Sequence, residues 1–305
     1  MPGTVLKNVP LTKVSDGDTV KVQIEGRTET LRLACLDTEE SFAGGSKPVT
    51  IGGKLASAWA KAFFDAEESG EVRGEILVDI EFDTDDPFET CRTKHRGNYG
   101  RLICYVYRDG VNYNLRAVET GWSPYFVKYG RSRLHHRAFE EAEAVAQASG
   151  RGIWDSTINA GGACRDYEVL VPWWRLRDTV VHDYRLAGGS ACALSVRLDY
   201  EEIRDAASAR REITVLCDLQ SGVNKWPGDG ALIYAGSKTH RFNLWIQDRD
   251  AAKAQEILRL IETRYAENGR GYVYVSGEAL MYPEHGERQT PEIILREAKQ
   301  LSDFA

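Results

Sequence analysis

The sequence predicts a mixed α+β, mainly β fold built from two small barrel-like domains with helices added. Hydrophobic and polar residues alternate from Thr4 to Leu36, which is the period of half-buried strands. Short apolar runs recur in both halves of the chain, and a stretch of small, polar residues separates the halves. Many short strands favour a closed barrel, because closure removes unpaired strand edges.

The composition excludes several classes of protein. The 305 residues include 39 Lys and Arg and 46 Asp and Glu, for a net charge of −7, and 42% are hydrophobic. These values are typical of globular domains, and they argue against coating of nucleic acid by bulk positive charge. The sequence has no run of 18 apolar residues, and its first ten residues do not resemble a secretory signal. We therefore expect a cytoplasmic protein with no membrane partner.

The cysteines indicate free thiols in a reducing compartment. None of the six forms a CxxC pair, and their spacing fits no zinc site. Several lie in apolar strand-like runs, where a thiol serves as a small core residue. They are Cys35, Cys91, Cys104, Cys164, Cys192 and Cys217.

The first domain is predicted to be a five-stranded barrel with helices. Strand-like segments occupy most of residues 4–36, with a hairpin turn at 25–27, and two further strands cover 76–82 and 102–107. Apolar residues at helical spacing predict helices around residues 55–63, 112–119 and 134–145. The predicted domain bounds are residues 1–156, followed by a linker over 157–166 and a second domain over 167–305.

The second domain shows several short strands around one strongly amphipathic helix at residues 254–265. This pattern predicts a second barrel of the OB type. The strand candidates are residues 193–198, 212–219, 231–235, 242–247, 272–280 and 292–296.

Three motifs place acids and arginines near strand ends. Asp16-Gly17-Asp18-Thr19-Val20 lies between two strands, and Arg32 lies within a strand that is followed by Asp37-Thr38-Glu39-Glu40. Tyr99-Gly100-Arg101 opens a third strand. Carboxylates, a potential base and two guanidinium groups suit phosphodiester hydrolysis. The alternative is a salt-bridged barrel rim, and an isolated Asp-Gly pair is most often only a turn.

These motifs, in this order and together with Gly152-Ile153-Trp154, resemble the staphylococcal nuclease (thermonuclease) domain over residues 4–156. The resemblance implies an OB-type barrel with three helices and a Ca²⁺-dependent nuclease that cuts DNA and RNA to 3′-phosphate products. Mn²⁺ and Mg²⁺ are alternative cations.

The resemblance also implies a role for each matching residue. Asp18 and Asp37 would bind the cation through their carboxylates and Thr38 through its carbonyl. Asp16 would support them through a cation-bound water. Glu40 would be the general base, while Arg32 and Arg101 would bind the scissile phosphate. Arginine suits this task because its planar fork makes bidentate phosphate contacts.

Three departures from the family pattern stand out. Glu39 occupies a position usually held by proline, which adds negative charge beside the expected cation. Residues 83–96 are longer than the usual turn, either as a solvated loop or as a segment shaping substrate access. A glycine-rich stretch replaces the lysine-rich loop that follows the general base.

Aromatic and basic residues suggest contacts with nucleic acid, with core packing as the alternative for each aromatic residue. Tyr99, Tyr125 and Tyr129 lie in or near the tyrosine-bearing segments of the family. In the second domain, stacking aromatics and nearby cations would suit single strands, since stacking needs unpaired bases. The residues proposed there are Phe242, Trp245, Lys238 and Arg241.

The sequence therefore predicts a metal-dependent nuclease that hydrolyses DNA, with RNA as a second candidate substrate, and that prefers single strands. It is joined to an OB-type domain that binds single-stranded nucleic acid. Two alternatives stay open. One is a non-catalytic scaffold that binds nucleic acid, and the other is a nuclease whose second domain docks a protein partner.

Overall fold

Two units make up the chain in the computed structural model, Met1–Arg175 and Leu176–Ala305. Residues 164–175, which the sequence analysis divided between linker and second domain, contribute Cys164, Tyr167, Val171 and Trp174 to the core of the first unit. The residues that the structure describes are 2–43, 48–97, 99–158, 164–219, 224–225, 229–237, 239–266, 270–286 and 289–305.

The sheet of the first unit closes on itself. Its order is β3-β2-β1-β4-β5-β6, and β3 also pairs with β5, which joins the ends into a ring. This closing contact is parallel and aligns Leu31 with Leu102 and Leu33 with Cys104. The predicted barrel is confirmed, with one further short strand. The strands are β1 (Val5–Asp16), β2 (Thr19–Ile24), β3 (Arg27–Leu33), β4 (Glu71–Glu81), β5 (Leu102–Arg108) and β6 (Val111–Asn112).

Local sequence signals set the turns and helix starts of this unit. Glu25 and Gly26 both have positive φ, as the tight two-residue turn between β2 and β3 requires. Thr50 and Asn112 cap two helices by accepting a hydrogen bond from a backbone N–H in the first turn. The helices are α1 (Ile51–Phe63), α2 (Phe88–Lys94), α3 (Tyr113–Glu119) and α4 (His136–Ala148).

The segment interpreted as a solvated loop, residues 83–96, contains helix α2. Cys91 is fully buried in this helix and packs into the core of the first unit. Asp86 Oδ2 lies 2.8 Å from His95 Nε2 and accepts a hydrogen bond from the Thr84 hydroxyl, which fixes both ends of the segment. The alternative of a simple solvated loop was wrong, because Phe88 and Cys91 anchor a short helix whose other positions are polar.

Helices flank a second sheet in the other unit. Helix α5 (Tyr167–Leu186) spans the division between the units, followed by α6 (Tyr200–Ser208) and α7 (Ala252–Leu260), which continues into a π-helical turn. Only α7 was predicted. Helix α5 escaped prediction because Pro172 lies inside it and charged residues interrupt its apolar positions.

The second sheet has eight strands in the order β7-β8-β12-β13-β11-β10-β9, with β14 beside β12. Five of the six predicted strands match closely, whereas the first shrinks to two residues. OB-type closure of this sheet stays a prediction. The strands are β7 (Leu194–Ser195), β8 (Glu212–Asp218), β9 (Asn224–Lys225), β10 (Ala231–Tyr234), β11 (Asn243–Ile246), β12 (Tyr272–Tyr282), β13 (Thr290–Ile294) and β14 (Leu301–Ser302).

All six cysteines are free thiols, and five of them are buried or half-buried. Burial raises the pKa of Cys91 and Cys164 to about 11, so both stay protonated at neutral pH. Within the described part of the chain, no helix combines the length and apolar character that a membrane crossing needs.

Glu292 is an unusual charge for the centre of a sheet. It lies in β13 between Leu280 of β12 and Asn243 of β11, and only 4% of its surface is exposed. Burial raises its pKa to about 7, partly offset by a hydrogen bond with Asn243. The folded unit therefore favours the neutral carboxylic acid.

We expect Glu292→Gln to stabilise the protein at pH 8 and to change little at pH 5. The pKa is higher in the folded than in the unfolded state, so the wild type loses stability as the pH rises from about 4.5 to above 7. The amide is neutral at both pH values, and its advantage should grow by roughly 2 kcal/mol between them. Urea unfolding of the full chain at both pH values measures this difference. Glu256→Gln, at an exposed position of α7, is the control, and an equal gain at both pH values would contradict the assignment.

Candidate active site

One polar network in the first unit joins separate stretches of the chain. Arg32, in β3, places Nη2 2.6 Å from Asp37 Oδ1, and its Nη1 forms an ion pair with Asp18 Oδ2. Asp18 lies in the turn between β1 and β2, next to Thr19, which is directly opposite Arg32 in the sheet. The strand register therefore brings Asp18 to Arg32, and the segment that follows β3 brings Asp37 to the same guanidinium.

Arg101 lies beside this cluster, immediately before β5. Its Nη1 donates to the Thr19 hydroxyl at 3.3 Å, and that hydroxyl donates to Asp18 Oδ1 at 2.8 Å. Burial and the neighbouring Arg32 lower the pKa of Arg101, while Asp18, Tyr99 and Glu40 oppose the shift. Among the described residues, Arg101 Nε is buried with no hydrogen-bond acceptor. A second guanidinium thus faces the same acids and retains a donor that the protein does not use.

Burial and neighbouring charges shift the pKa values of the cluster residues. Burial alone would lower the pKa of Arg32, but Asp18 and Asp37 raise it above the usual arginine value, so this group is always charged. Asp16 is 6% exposed, and desolvation by burial, together with the nearby Asp18, raises its pKa to about 6. The two aspartates thus keep Arg32 charged, while burial favours the neutral form of Asp16.

Backbone contacts fix the segment that carries Asp37, Thr38 and Glu40. The Asp37 N–H donates to the Ser123 hydroxyl at 2.9 Å, and the Thr38 N–H donates to Asp18 Oδ2 at 3.2 Å. A Cβ at Gly53 would lie 2.0 Å from the Glu40 carbonyl oxygen, so only glycine lets the start of α1 approach this closely. Glu40 is therefore held at the edge of the cluster by its main chain.

Helix α3 supplies two supports that sequence reasoning missed. The buried hydroxyl of Tyr113 donates to the Gly17 carbonyl at 2.7 Å and so anchors the β1–β2 turn. Asn114, also fully buried, accepts from the Val106 N–H at 3.0 Å and donates to the Ala34 carbonyl at 2.8 Å. These side chains hold the backbone just before Asp18 and Asp37, a role that sequence pattern alone does not reveal.

Arg165 is the third arginine of the network, and it was missed because it lies in the predicted linker. Its Nη1 lies 2.6 Å from Asp37 Oδ2, and its Nε lies 2.8 Å from Glu39 Oε1. Its Nη2 donates to the carbonyls of Asp37 and Thr38, at 2.9 and 3.4 Å. Tyr167 completes the cluster by donating its hydroxyl to Glu39.

The predicted tyrosines occupy three different settings. Tyr99 is 63% exposed, and the Arg101 guanidinium lies 5.6 Å from its ring centroid. Tyr125 is 4% exposed, stacks on Phe139 and accepts a hydrogen bond from the Ser132 N–H. Tyr129 is half-buried and meets Phe126 edge to face. Burial of Tyr125 favours the packing alternative, whereas Tyr99 stands open beside the cluster.

The residues proposed for nucleic-acid contact in the second unit differ in their exposure. Phe242 is 1% exposed in the core, so its ring is covered by protein and packing accounts for it. Trp245 is half-buried in β11, and Arg241 is exposed one residue before Phe242. Lys238 lies outside the described residues. Trp245 and Arg241 thus keep the accessibility that a binding role needs.

The donor set suits a hard cation. Asp18 and Asp37 converge on one guanidinium, and the Thr38 backbone bonds to Asp18, so two carboxylates and a carbonyl belong to one cluster. Calcium and magnesium prefer such oxygen ligands. The described residues contain no group of three or more His, Cys, Asp or Glu side chains that would hold a metal ion. Any cation here would thus depend on backbone, water or substrate oxygens as well.

Comparisons with known proteins find a similarity to part of the first unit. Residues 80–156 match the family model described as Staphylococcal nuclease homologue, a span that includes Arg101. The first unit thus contains a staphylococcal nuclease-like domain, which confirms the resemblance drawn from the motifs. The other motif residues lie before residue 80, so their grouping rests on the strand register described above.

Curated relatives extend the similarity to about half of the chain. This chain is 28% identical over 149 residues to the SPbeta prophage-derived endonuclease YokF of Bacillus subtilis, and the match covers 49% of this chain and 44% of that protein. This chain is also 28% identical over 152 residues to endonuclease YncB of Bacillus subtilis, and the match covers 50% of this chain and 64% of that protein. The thermonuclease of Staphylococcus hyicus is 26% identical to this chain over 145 residues, and the match covers 47% of this chain and 73% of the thermonuclease. The chain thus spans less than two thirds of the first two relatives.

We expect Asn114→Ala to destabilise the first unit by about 3 kcal/mol, because it leaves a buried N–H and a buried carbonyl without partners. Urea unfolding followed by circular dichroism measures the loss. Gln147→Ala, at an exposed position of α4, should change stability by less than about 0.5 kcal/mol. Equal effects of the two substitutions would show that the Asn114 bonds do not support the fold.

Proposed function

We propose that the first unit is a divalent-cation-dependent nuclease that hydrolyses phosphodiester bonds of DNA and RNA. The observation that carries the proposal is the pairing of Arg32 with both Asp18 and Asp37, with Arg101 alongside. Phosphodiesters resist attack because the nucleophile approaches an anion and negative charge builds up on the phosphate oxygens. Two guanidinium groups and a cation neutralise this charge in the transition state.

Asp18, Asp37 and the Thr38 carbonyl would hold the cation, for which we propose Ca²⁺, with Mn²⁺ and Mg²⁺ as alternatives. Once bound, the cation would polarise the phosphate oxygens and help to align the scissile bond. Asp16 would orient water at the edge of this site. We also place the protein in a reducing compartment such as the cytoplasm, since all its thiols are unpaired.

Glu40 would act as the general base by accepting a proton from the attacking water. Arg32 and Arg101 would bind the non-bridging phosphate oxygens through their planar forks and fix the phosphate for in-line attack. The unused Nε of Arg101 supports this role, because a phosphate oxygen would satisfy that buried donor. Release of the 5′ oxygen would leave a 3′-phosphate on one fragment and a 5′-hydroxyl on the other.

For the second unit we propose a role in capturing single strands. Tyr234 of β10 is 46% exposed, whereas its neighbours Ile233 and Leu244 are fully buried. Because strand side chains alternate between faces, Tyr234 and Trp245 share the outer face of the sheet. Aromatic rings on such a face can stack on unpaired bases without reading sequence.

We expect Glu40→Gln and Arg101→Ala each to lower cleavage by at least about 100-fold while the protein stays folded. Glu40→Gln removes the proposed general base, and Arg101→Ala removes a guanidinium that would donate hydrogen bonds to the phosphate. The assay offers labelled single- and double-stranded DNA and RNA with Ca²⁺, Mg²⁺, Mn²⁺ or EDTA, and the product ends are mapped. Arg137→Ala, whose 92% exposed side chain pairs with Glu141, is the control. Cleavage by the wild type in EDTA would contradict the cation dependence, whereas no cleavage with any cation would favour the scaffold alternative.

We expect Trp245→Ala to weaken binding of single-stranded DNA by about 5- to 100-fold and to affect duplex less, because only unpaired bases stack. Binding is measured with the full chain carrying Glu40→Gln, in EDTA at low salt, so that cleavage does not intervene. Phe304→Ala, which removes another exposed aromatic ring, is the control. If Trp245→Ala leaves both affinities unchanged, the second unit is better explained as a module that docks a protein.

A further inference from the structure

The Arg165 side chain bonds to four acceptors in the proposed cation-binding segment. The acceptors are Asp37 Oδ2, Glu39 Oε1 and the backbone carbonyls of Asp37 and Thr38. Its side chain is 13% exposed, and those of Asp37 and Glu39 are 6% and 1% exposed. One guanidinium thus fixes a carboxylate and a carbonyl that are both proposed cation ligands.

The two oxygens of the Asp37 carboxylate are divided between two arginines. Oδ1 lies 2.6 Å from Arg32 Nη2, and Oδ2 lies 2.6 Å from Arg165 Nη1. A carboxylate held at both oxygens cannot rotate about its terminal bond without breaking an ion pair. Its orientation toward Asp18 is therefore set before any ligand arrives, which is the condition for a preorganised site.

Glu39 explains why an arginine is needed at this place. Glu39 places a buried negative charge in this segment. Arg165 balances that charge, and its bonds to two carbonyls immobilise the main chain. The hydroxyl of Tyr167 supplies a further bond to Glu39.

We propose that Arg165 is a positioning residue that preorganises Asp37 and the Thr38 carbonyl for a divalent cation. The inference rests on the proposed function, since it concerns the same site. Arg165 acts through Asp37, Thr38 and Glu39 and does not itself bind substrate. The nuclease site would then include the segment that follows the barrel as well as the barrel itself.

The loss of Arg165 should change cation affinity in opposite directions through charge and through geometry. Removing a positive charge beside a cation site should by itself strengthen cation binding. Loss of orientation should weaken it, and second-shell substitutions at metal sites typically cost 10- to 100-fold in affinity. Weaker binding in an Arg165→Ala variant that stays folded therefore indicates the lost geometry.

The test measures binding of Ca²⁺ alone to the full chain by isothermal titration calorimetry, without nucleic acid. We expect Arg165→Ala to bind Ca²⁺ about 10- to 100-fold more weakly than the wild type. Arg165→Lys should stay at least about 10-fold weaker, because an ammonium keeps the charge but cannot reach all four acceptors. Arg137→Ala is the matched control, and circular dichroism checks the fold of every variant.

Arg165→Ala leaves the Glu39 carboxylate buried without its cation, which can unfold the segment. The double variant Arg165→Ala with Glu39→Gln removes both charges and preserves the local net charge. We expect it to remain weak for Ca²⁺. Recovery of wild-type affinity in this variant would mean that Arg165 only neutralises Glu39, and would overturn the proposal.

The outcomes separate this inference from the proposed function. If the wild type binds Ca²⁺ and cleaves, while Arg165→Ala binds Ca²⁺ as tightly or more tightly, the positioning role is overturned and the nuclease assignment stands. If the wild type neither binds a cation nor cleaves, the proposed function fails and the positioning role fails with it.

Discussion

The parallel contact between β3 and β5 is the constraint on which the first unit depends. It closes the sheet, and it aligns Leu31 with Leu102, so that Arg32 and Arg101 each lie one residue from this aligned pair. The antiparallel pairing of β2 with β3 adds Asp18 from the other side. A shift of one residue in either register would turn Arg32 to the opposite face, because side chains alternate along a strand. The barrel core and the charge cluster therefore depend on the same pairing.

The cluster is stable because each charge lies among opposite charges. Burying an unpaired ion is costly, whereas a chain of alternating acids and arginines recovers much of that cost through charge-assisted hydrogen bonds. The network runs from Arg101 through Thr19 to Asp18, then through Arg32 to Asp37, and ends at Arg165 and Glu39. Two buried atoms of this network have no hydrogen-bond partner among the described residues, Arg101 Nε and Glu39 Oε2. The unused Arg101 donor suits an anionic ligand.

Sequence pattern was sufficient for those parts of the molecule that local rules determine. The hairpin at Glu25-Gly26 follows from the turn's need for positive φ, and the motifs identified the acids and arginines that the strand registers then bring together. Helix α5 was not predicted because Pro172 and scattered charges hide its pattern. Tyr113 and Asn114 were not singled out because a buried polar contact depends on tertiary neighbours, and no periodicity records it.

Arg165 is the part of the candidate site that the sequence motifs did not include. Its neighbours in the sequence are small or polar, and nothing local distinguishes it from a linker residue. Its partner Glu39 lies 126 residues away in the sequence and is 1% exposed. A buried acid needs a cation from elsewhere in the fold, but the burial of Glu39 depends on tertiary neighbours that the sequence pattern does not record. Arg165 follows Trp154, so this ion pair extends beyond residues 1–156 of the predicted first domain and lies within the unit Met1–Arg175.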